Sequence, residues 1–174
     1  MRPISHRGPD GEKIWINESA NALFGHRRLA IIDLSEEAAQ PMHYLGRYTI
    51  VHNGELYNYL ELRADLIKKG YSFQTKSDTE VILAAYDCWK ENCLPRFNGM
   101  YGFAIWDEKE QTLFAARDRF GEKPLYYSYD GKEDFFFASE FGSLLSIIPR
   151  SINEKMLLNY IGLGYQSGKN TNET

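Results

Sequence analysis

The feature that most constrains the fold is a pair of neighbouring helical segments within a chain of short, strand-like runs. Seven runs rich in aromatic and β-branched residues lie between turn residues. They cover Lys13–Asn17, Leu23–Ile32, Arg47–His52, Tyr101–Trp106, Thr112–Arg117, Leu125–Tyr129 and Phe135–Ala138. Because the helices are grouped and do not follow each strand in turn, the pattern predicts an α+β fold with antiparallel sheets. Two stacked sheets covered by helices would fit this pattern of strands and helices.

Both helices are predicted from their start signals as well as from the spacing of apolar residues. Asn58 and Ser77 each stand three residues before a glutamate, which is the spacing of a capping box. Gly70 is placed to end the first helix. The predicted helices cover residues 59–69 and 78–92, and a third is predicted over residues 152–161.

Composition excludes several classes of protein. The chain has 174 residues, of which 43% are apolar and 25% charged, as in an ordinary globular domain. Its net charge of −4 argues against nucleic acid as a partner, because nucleic-acid binding needs a basic surface. No apolar run approaches the roughly 20 residues of a membrane-spanning helix, and the first residues lack a secretory signal. A cytoplasmic protein without membrane contact is predicted.

The cysteines and histidines predict neither a disulfide nor a metal site. Cys88 and Cys93 are five residues apart, within and just after the predicted second helix, so in one continuous helix they would point about 140° away from each other. Two thiols are too few for a four-thiolate zinc site. The histidines also lack the spacing of metal ligands; they are His6, His26, His43 and His52.

The dipeptide Asn53-Gly54 lies between a strand-like run and a predicted helix. Asn-Gly is a common hairpin turn, yet no second strand follows it here. An Asn amide beside a glycine N–H offers two donors to a developing oxyanion. Arg28 and Asp78 are candidates for binding the carboxylate and the ammonium of an amino acid. Each also has a structural explanation, as a surface strand residue and as a first-turn helix residue.

Six segments follow one another in the order found in glutamine-hydrolysing asparagine synthetases. They are His6–Asp10, Gly25–Ser35, Gln40–Met42, His52–Tyr59, Ser77–Val81 and Ala116–Tyr127. The match extends over nearly the whole chain, which resembles the class II glutamine amidotransferase domain of that family. The resemblance implies the N-terminal-nucleophile (Ntn) hydrolase fold, with two stacked antiparallel sheets between helical layers.

The resemblance also implies a chemistry and a set of site residues. In that family an N-terminal cysteine attacks the glutamine carboxamide, and the ammonia travels to a second domain that uses ATP and Mg. By position, Asn53 and Gly54 would form the oxyanion hole. The implied glutamine contacts are Arg28, Leu29, Ala30, Ile31, Ile32, Asn53, Gly54, Glu55 and Asp78. No metal or other cofactor is expected in the amidotransferase domain itself.

The start of the chain departs from the family pattern. Family members begin with Met-Cys-Gly-Ile, whereas Met1-Arg2-Pro3-Ile4 stands here. We therefore expect residues 1–148 to form the amidotransferase domain without its first strand and nucleophile. Residues 149–174 are expected to begin the linker and helix toward an absent synthetase domain. The 174-residue chain alone is expected to be inactive.

Two alternatives to an asparagine synthetase remain open at this stage. One is the amidotransferase domain of a related enzyme that passes ammonia to another acceptor. The other is a non-catalytic module that binds glutamine. In the main interpretation the partners are L-glutamine and the C-terminal synthetase domain of the same polypeptide, and a homodimer is a further option.

Overall fold

Three antiparallel sheets are present in the computed structural model, which describes residues 2–29, 35–129, 131–132 and 134–164. A hairpin pairs β1 (Gly11–Ile16) with β2 (Leu23–Arg28). The central sheet has the order β3 (Met42–Tyr44), β4 (Tyr48–Leu56), β5 (Gly99–Asp107) and β6 (Thr112–Arg117). A second hairpin pairs β7 (Tyr126–Tyr129) with β8 (Phe135–Ala138). The predicted α+β class with antiparallel sheets is confirmed.

The central sheet is covered on both faces because its strands carry apolar residues on both sides. On one face, Ile50 and Leu56 join the main core with α1 (Tyr59–Lys68) and α2 (Asp78–Trp89). On the other face, Val51 packs in a smaller cluster with Phe24 of β2 and Phe137 of β8. The two hairpins meet through side chains, with the rings of Phe24 and Phe137 5.6 Å apart. The second layer therefore consists of these two hairpins.

The predicted helices are confirmed, but their caps differ from the sequence-based expectation. The side chain of Asn58 makes no cap hydrogen bond and instead bonds to Arg96 O and Asn98 N across the chain. Ser77 caps α2 by accepting from Thr79 N. Glu80 does not complete a capping box with Ser77, because its carboxylate accepts from the backbone N–H groups of residues 74 and 75.

The second helix is shorter than predicted. It ends at Trp89, because Lys90 has a positive φ of 51° that breaks the helical path. A 3₁₀ helix, Lys90–Arg96, follows and contains Pro95. Cys93 consequently lies outside α2, which corrects the placement of both cysteines on one helix. Both thiols are free.

Strand bounds differ from the predicted runs at positions that matter for function. The strand predicted to end at His52 continues through Asn53 and Gly54 to Leu56, because the whole segment pairs with β5. The short strand β3 was not predicted, and β2 ends at Arg28. Residues 30–32 of the predicted strand 23–32 lie outside the described residues.

Two short helical elements complete the part of the chain before residue 145. A 3₁₀ helix, Arg2–Arg7, precedes β1, and α3 (Phe141–Leu144) follows β8. Glu140 joins them, since its carboxylate contacts both His6 and Arg7. The resulting contact fixes the segment that leads into Gly8.

The chain divides into two compact units, Met1–Leu144 and Leu145–Thr174. The second unit contains α4 (Glu154–Leu163), which Asn153 caps by accepting from Met156 N and which Gly164 ends with a φ of +73°. Within the described ranges, every helix is too short or too polar to cross a bilayer. The boundary between residues 148 and 149 as a functional domain limit stays a prediction.

A buried carboxylate organises the loop that follows β6. Asp118 accepts hydrogen bonds from the backbone N–H groups of four residues, which are Tyr101, Phe120, Glu122 and Lys123. Burial by itself raises the pKa of Asp118, but these hydrogen bonds outweigh burial and lower it below the usual range. The Arg117–Tyr127 part of the sixth motif therefore owes its shape to one ionised side chain.

We expect Asp118→Asn to lower the free energy of unfolding at pH 7 by about 2 kcal/mol, because charge-assisted hydrogen bonds are replaced by neutral ones. A lowered pKa stabilises the fold above the unfolded value of 3.8 and stops doing so as the pH falls through the folded value. Urea unfolding from pH 7 to pH 3 should show the two proteins converging at the acid end. Asp65→Asn, on an exposed carboxylate paired with Lys68, serves as control with an effect below about 0.5 kcal/mol. A constant difference across the pH range would contradict the assignment.

Candidate active site

The free edge of β4 is the central feature of the candidate site. Alternate residues of an antiparallel strand point their backbone groups to the same edge. Tyr57 donates to Asn98 O at 2.8 Å, so the odd-numbered residues of this segment face β5. The even-numbered residues face β3, which begins opposite Ile50 and extends no further along β4. The backbone N–H groups that point to an edge without a described strand belong to His52, Gly54 and Leu56.

Side chains take up two of these three donors. His52 N donates to Oε1 of Gln40 at 2.6 Å, and Leu56 N donates to Oδ2 of Asp78 at 2.8 Å. By the same alternation, the N–H of Gly54 points to this edge between them. The edge therefore presents the Gly54 N–H between two donors that side chains occupy.

Only glycine fits at position 54. Its φ is +149°, and a Cβ atom built there would lie 2.1 Å from Met100 O and 2.7 Å from Tyr101 Cα. The close approach of β5 is possible because Gly54 has no side chain. Glycine is thus required inside the strand β4, whereas the sequence pattern placed this residue at the boundary between a strand and a helix.

Asn53 supplies a second donor next to the first. Its side chain lies on the β4 face that carries Val51, since side chains alternate along a strand. The amide nitrogen Nδ2 is buried and has no hydrogen-bond partner among the described residues. A buried donor without an acceptor is costly, so its retention indicates a ligand or a reacting group as its partner. Glu55 lies on the same face.

Two histidines, His52 and His26, also belong to this part of the structure. His52 is buried between β4 and α2, with Nδ1 3.1 Å from Thr79 Oγ1 and Nε2 without a partner. Burial lowers its pKa, the Asp78 carboxylate opposes this effect, and Lys123 adds to it. Burial also lowers the pKa of His26, to about 4, although a hydrogen bond to the backbone of His52 acts in the opposite direction.

Both imidazoles are therefore neutral at pH 7. Since their folded pKa values lie below the ordinary 6.5, the unfolded chain binds protons more readily. This contribution to stability is complete above pH 6.5 and is lost as the pH falls toward the folded values. Because His26 and His52 are neutral, any positive charge at the site comes from other groups, among them Arg28.

Arg28 is held at the end of β2 by two contacts. Its NH1 donates to Ser35 O at 2.9 Å. Gly8 lies against the backbone of β2, where an added Cβ would be 2.6 Å from Arg28 N. The glycine of the His6–Asp10 motif thus permits the close approach that sets the position of Arg28.

Four of the predicted site residues lie on or beside β4: Asn53, Gly54 and Glu55 belong to the strand, and Asp78 bonds its Leu56 N. Electrostatic interactions connect Arg28 to His26, His26 to His52, and His52 to Asp78, and Asn53 and Gly54 follow His52 directly. Leu29 is 57% exposed just beyond β2. Ala30, Ile31 and Ile32 lie outside the described residues. Their predicted contacts with glutamine, like those of the other site residues, remain predictions.

Sequence reasoning missed four residues that shape this region: Gln40, Thr79, His26 and His52. The sequence did contain a signal for these residues, because each of them lies within one of the six family motifs. Gln40 precedes Pro41 and Met42, and Thr79 stands beside Asp78. Their roles depend on hydrogen bonds between segments 12 to 39 residues apart, which spacing within a motif does not reveal.

Neither thiol of the chain belongs to the candidate site. Cys88 lies ten residues after Asp78 on α2, or about 15 Å along the helix axis. Cys93 is fully buried in the main core, where burial raises its pKa to about 12. The protonated, enclosed thiol of Cys93 is unsuited to nucleophilic attack. Within the described ranges, no group of three or more His, Cys, Asp and Glu side chains could hold a metal ion.

An antiparallel α+β fold with two adjacent hydrogen-bond donors at a strand edge is compatible with the class of hydrolases that stabilise an oxyanion. Comparison with known proteins makes the class specific: a family model described as the glutamine amidotransferase domain matches residues 1–172. The chain belongs to this family. The likeness to an amidotransferase of known structure, given below, agrees with the predicted Ntn-hydrolase fold.

The most similar proteins found include two asparagine synthetases of Bacillus subtilis. Glutamine-hydrolysing asparagine synthetase 3 is 45% identical over 166 residues, which cover 92% of this chain and 26% of that protein. Glutamine-hydrolysing asparagine synthetase 1 is 48% identical over 143 residues, covering 82% and 22%. The chain thus spans about a quarter of the length of these relatives. The predicted resemblance to this family is confirmed.

A solved structure shows the same likeness. Glutamine phosphoribosylpyrophosphate amidotransferase from B. subtilis, complexed with ADP and GMP, superposes with a TM-score of 0.57 and 30% sequence identity. The superposition covers 69% of this chain and 28% of that protein.

Proposed function

We propose that this chain is the glutaminase domain of an asparagine synthetase. In this proposal it hydrolyses L-glutamine to glutamate and supplies ammonia to an ATP-dependent amidation of aspartate. The observation that carries the proposal is a pair of adjacent donors: Nδ2 of Asn53, which has no partner among the described residues, and the N–H of Gly54, which points to the edge of β4 that no described strand covers. The identity of 45% and 48% to two asparagine synthetases supports the choice of acceptor.

The proposed reaction is amide hydrolysis through a thioester. A thiolate adds to the carboxamide carbon of glutamine, and the oxygen takes the negative charge between Asn53 and Gly54. The C–N bond then breaks, and the amide nitrogen leaves as ammonia after gaining a proton. Water cleaves the thioester, which gives glutamate and restores the thiol. Following the family resemblance, the thiol belongs to an N-terminal cysteine.

The charged residues around the donors suit the ends of a glutamine molecule. Arg28 would bind the α-carboxylate, and Asp78 would bind the α-ammonium. Oδ2 of Asp78 already accepts from Leu56 N, so substrate contact would use its other oxygen. Leu29, Ala30, Ile31, Ile32 and Glu55 complete the proposed substrate contacts.

The proposal includes partners and a location. ATP and Mg would act in a C-terminal synthetase domain of the same polypeptide, and a second copy of the chain is a further proposed partner. The exposed rings of Phe120, Tyr127 and Tyr129 offer apolar surface for contacts with protein. The free thiols of Cys88 and Cys93 suit the reducing cytoplasm.

The test compares two proteins. One is the 174-residue chain, and the other is a Cys-extended chain, in which the family's leading segment, beginning with cysteine, replaces Met1–Ser5. We expect the 174-residue chain to bind L-glutamine without releasing ammonia, because neither Cys88 nor Cys93 lies at the donors. The Cys-extended chain should release ammonia steadily. The same extension with alanine in place of its first cysteine is the matched control.

Each outcome separates the alternatives. Ammonia release by the unextended chain at a comparable rate would show that the nucleophile has been misplaced. Glutamine binding by both proteins without hydrolysis by either would favour a non-catalytic binding module. Absence of glutamine binding in both would overturn the proposed function. Calorimetric titration with L-glutamine, beside L-asparagine as a shorter competitor, measures the binding.

A further inference from the structure

Three side chains form a hydrogen-bonded link between α2 and the free edge of β4. Gln40 accepts from His52 N at 2.6 Å and donates from Nε2 to Thr79 Oγ1 at 3.4 Å. Thr79 Oγ1 also lies 3.1 Å from His52 Nδ1. The hydroxyl of Thr79 therefore contacts both the residue that holds the His52 backbone and the His52 ring itself.

The link is enclosed. Thr79 is 2% exposed and His52 is 4% exposed, while Gln40 is half-buried at the end of the loop that precedes β3. Hydrogen bonds shielded from water hold their geometry well, and a missing partner inside such a network is costly. The Gln40 amide continues the pairing of β4 beyond the point where β3 begins, because it bonds the first backbone donor that β3 does not reach.

The position of this link relates it to the donors. His52 precedes Asn53 directly, and its backbone N–H points to the same edge as that of Gly54. Holding His52 at its backbone by Gln40 and at its ring by Thr79 fixes the backbone from which both donors project. Asp78, the neighbour of Thr79, anchors the other side at Leu56.

We propose that Gln40, Thr79 and His52 are positioning residues, which hold the backbone ahead of Asn53 so that the amide of Asn53 and the N–H of Gly54 converge on one oxygen atom of the ligand. They do so without touching the ligand. This inference rests on the proposed function for the identity of that ligand, L-glutamine. The donor geometry itself is a property of the unliganded chain.

The test uses the 174-residue chain labelled with ¹⁵N. Thr79→Val removes the hydroxyl with little change of shape, and Thr79→Ser keeps it. Without ligand, the backbone N–H signal of Gly54 and the Asn53 amide signals should be single and sharp in the parent and in Thr79→Ser. In Thr79→Val they should broaden or split.

The affinity for L-glutamine is the second readout. L-Glutamine should bind Thr79→Val about five- to tenfold more weakly than the parent, which is the effect of about one lost hydrogen bond. Its affinity for Thr79→Ser should lie within about twofold of the parent.

A matched control and a second variant separate positioning from general stability. Thr49→Val removes another buried hydroxyl of β4, which bonds His43 at 3.0 Å, and should leave both readouts unchanged. Gln40→Leu removes the acceptor of His52 N and should reproduce the effect of Thr79→Val. If Thr79→Val does not fold, the Gly54 and Asn53 signals of Gln40→Leu test the positioning role instead.

The two hypotheses fail in different ways. Unchanged Gly54 and Asn53 signals in both Thr79→Val and Gln40→Leu would overturn the positioning role, whether or not glutamine binds. A parent chain whose Gly54 signal does not respond to L-glutamine would overturn the proposed function. In that case the ligand-free spectra would still decide the positioning role.

Discussion

Gly54→Ala should abolish glutamine binding and lower the free energy of unfolding by about 3 kcal/mol, the upper part of the range for overpacked sites. The added methyl group would lie 2.1 Å from Met100 O, so either β5 must move away from β4 or the φ of +149° must change. Both adjustments turn the Gly54 N–H away from its present direction. Urea unfolding and titration with L-glutamine measure the two effects.

Gly46→Ala is the matched control for backbone conformation. Gly46 also has a positive φ, +60°, yet a Cβ atom there would have no neighbour within 4 Å. It lies in the turn between β3 and β4, so the expected cost is about 1 kcal/mol without loss of glutamine binding. Similar losses for the two variants would mean that φ alone, and not the approach of β5, requires glycine at position 54.

Asn53→Ala in the Cys-extended chain should lower kcat for glutamine hydrolysis by about 10²- to 10³-fold, the usual cost of removing one oxyanion-hole donor. KM should change far less, because the donor acts mainly on charge that develops in the transition state. Ammonia release measured over a range of glutamine concentrations separates the two parameters.

Two further variants sharpen this result. Asn53→Asp keeps the size of the side chain but replaces the Nδ2 donor with a negative oxygen, so its kcat should fall at least as far. Asn21→Ala, in the turn between β1 and β2, removes an asparagine whose side chain bonds Asn17 and Gln111, and should leave kcat unchanged. If Asn53→Ala raised KM and left kcat intact, Asn53 would be a substrate-binding residue only.

The secondary structure was largely predictable because local patterns determine it. Thr112–Arg117 and Phe135–Ala138 were predicted with the observed bounds, since turn residues flank apolar runs on both sides. The end of α2 was not predicted, because the positive φ that ends it belongs to Lys90 and not to a glycine. The three-residue strand β3 is too short to produce a pattern of its own.

The residues proposed to contact the ligand were named from the sequence, whereas the residues that support them were not. The chemistry of Asn53, Gly54, Arg28 and Asp78 suggested an oxyanion and a bound amino acid, and the family resemblance added amide hydrolysis. The sequence pattern, however, predicts that the strand ends just before Asn53-Gly54. In the structure this dipeptide lies inside β4, where one edge of the strand is unpaired among the described strands. That distinction depends on where β3 begins, and thus on pairing between segments of different motifs.

The unpaired edge of β4 has a consequence for solubility. An exposed strand edge with several free N–H and C=O groups is a template on which a foreign strand adds, which leads to aggregation. Gln40 and Asp78 occupy the first and last donors that the described strands leave free at this edge, and the N–H of Gly54 lies between them. A single open donor offers an incoming strand too few bonds to start a ladder. The side chains that prepare the edge for a small molecule therefore also protect the sheet from a second polypeptide.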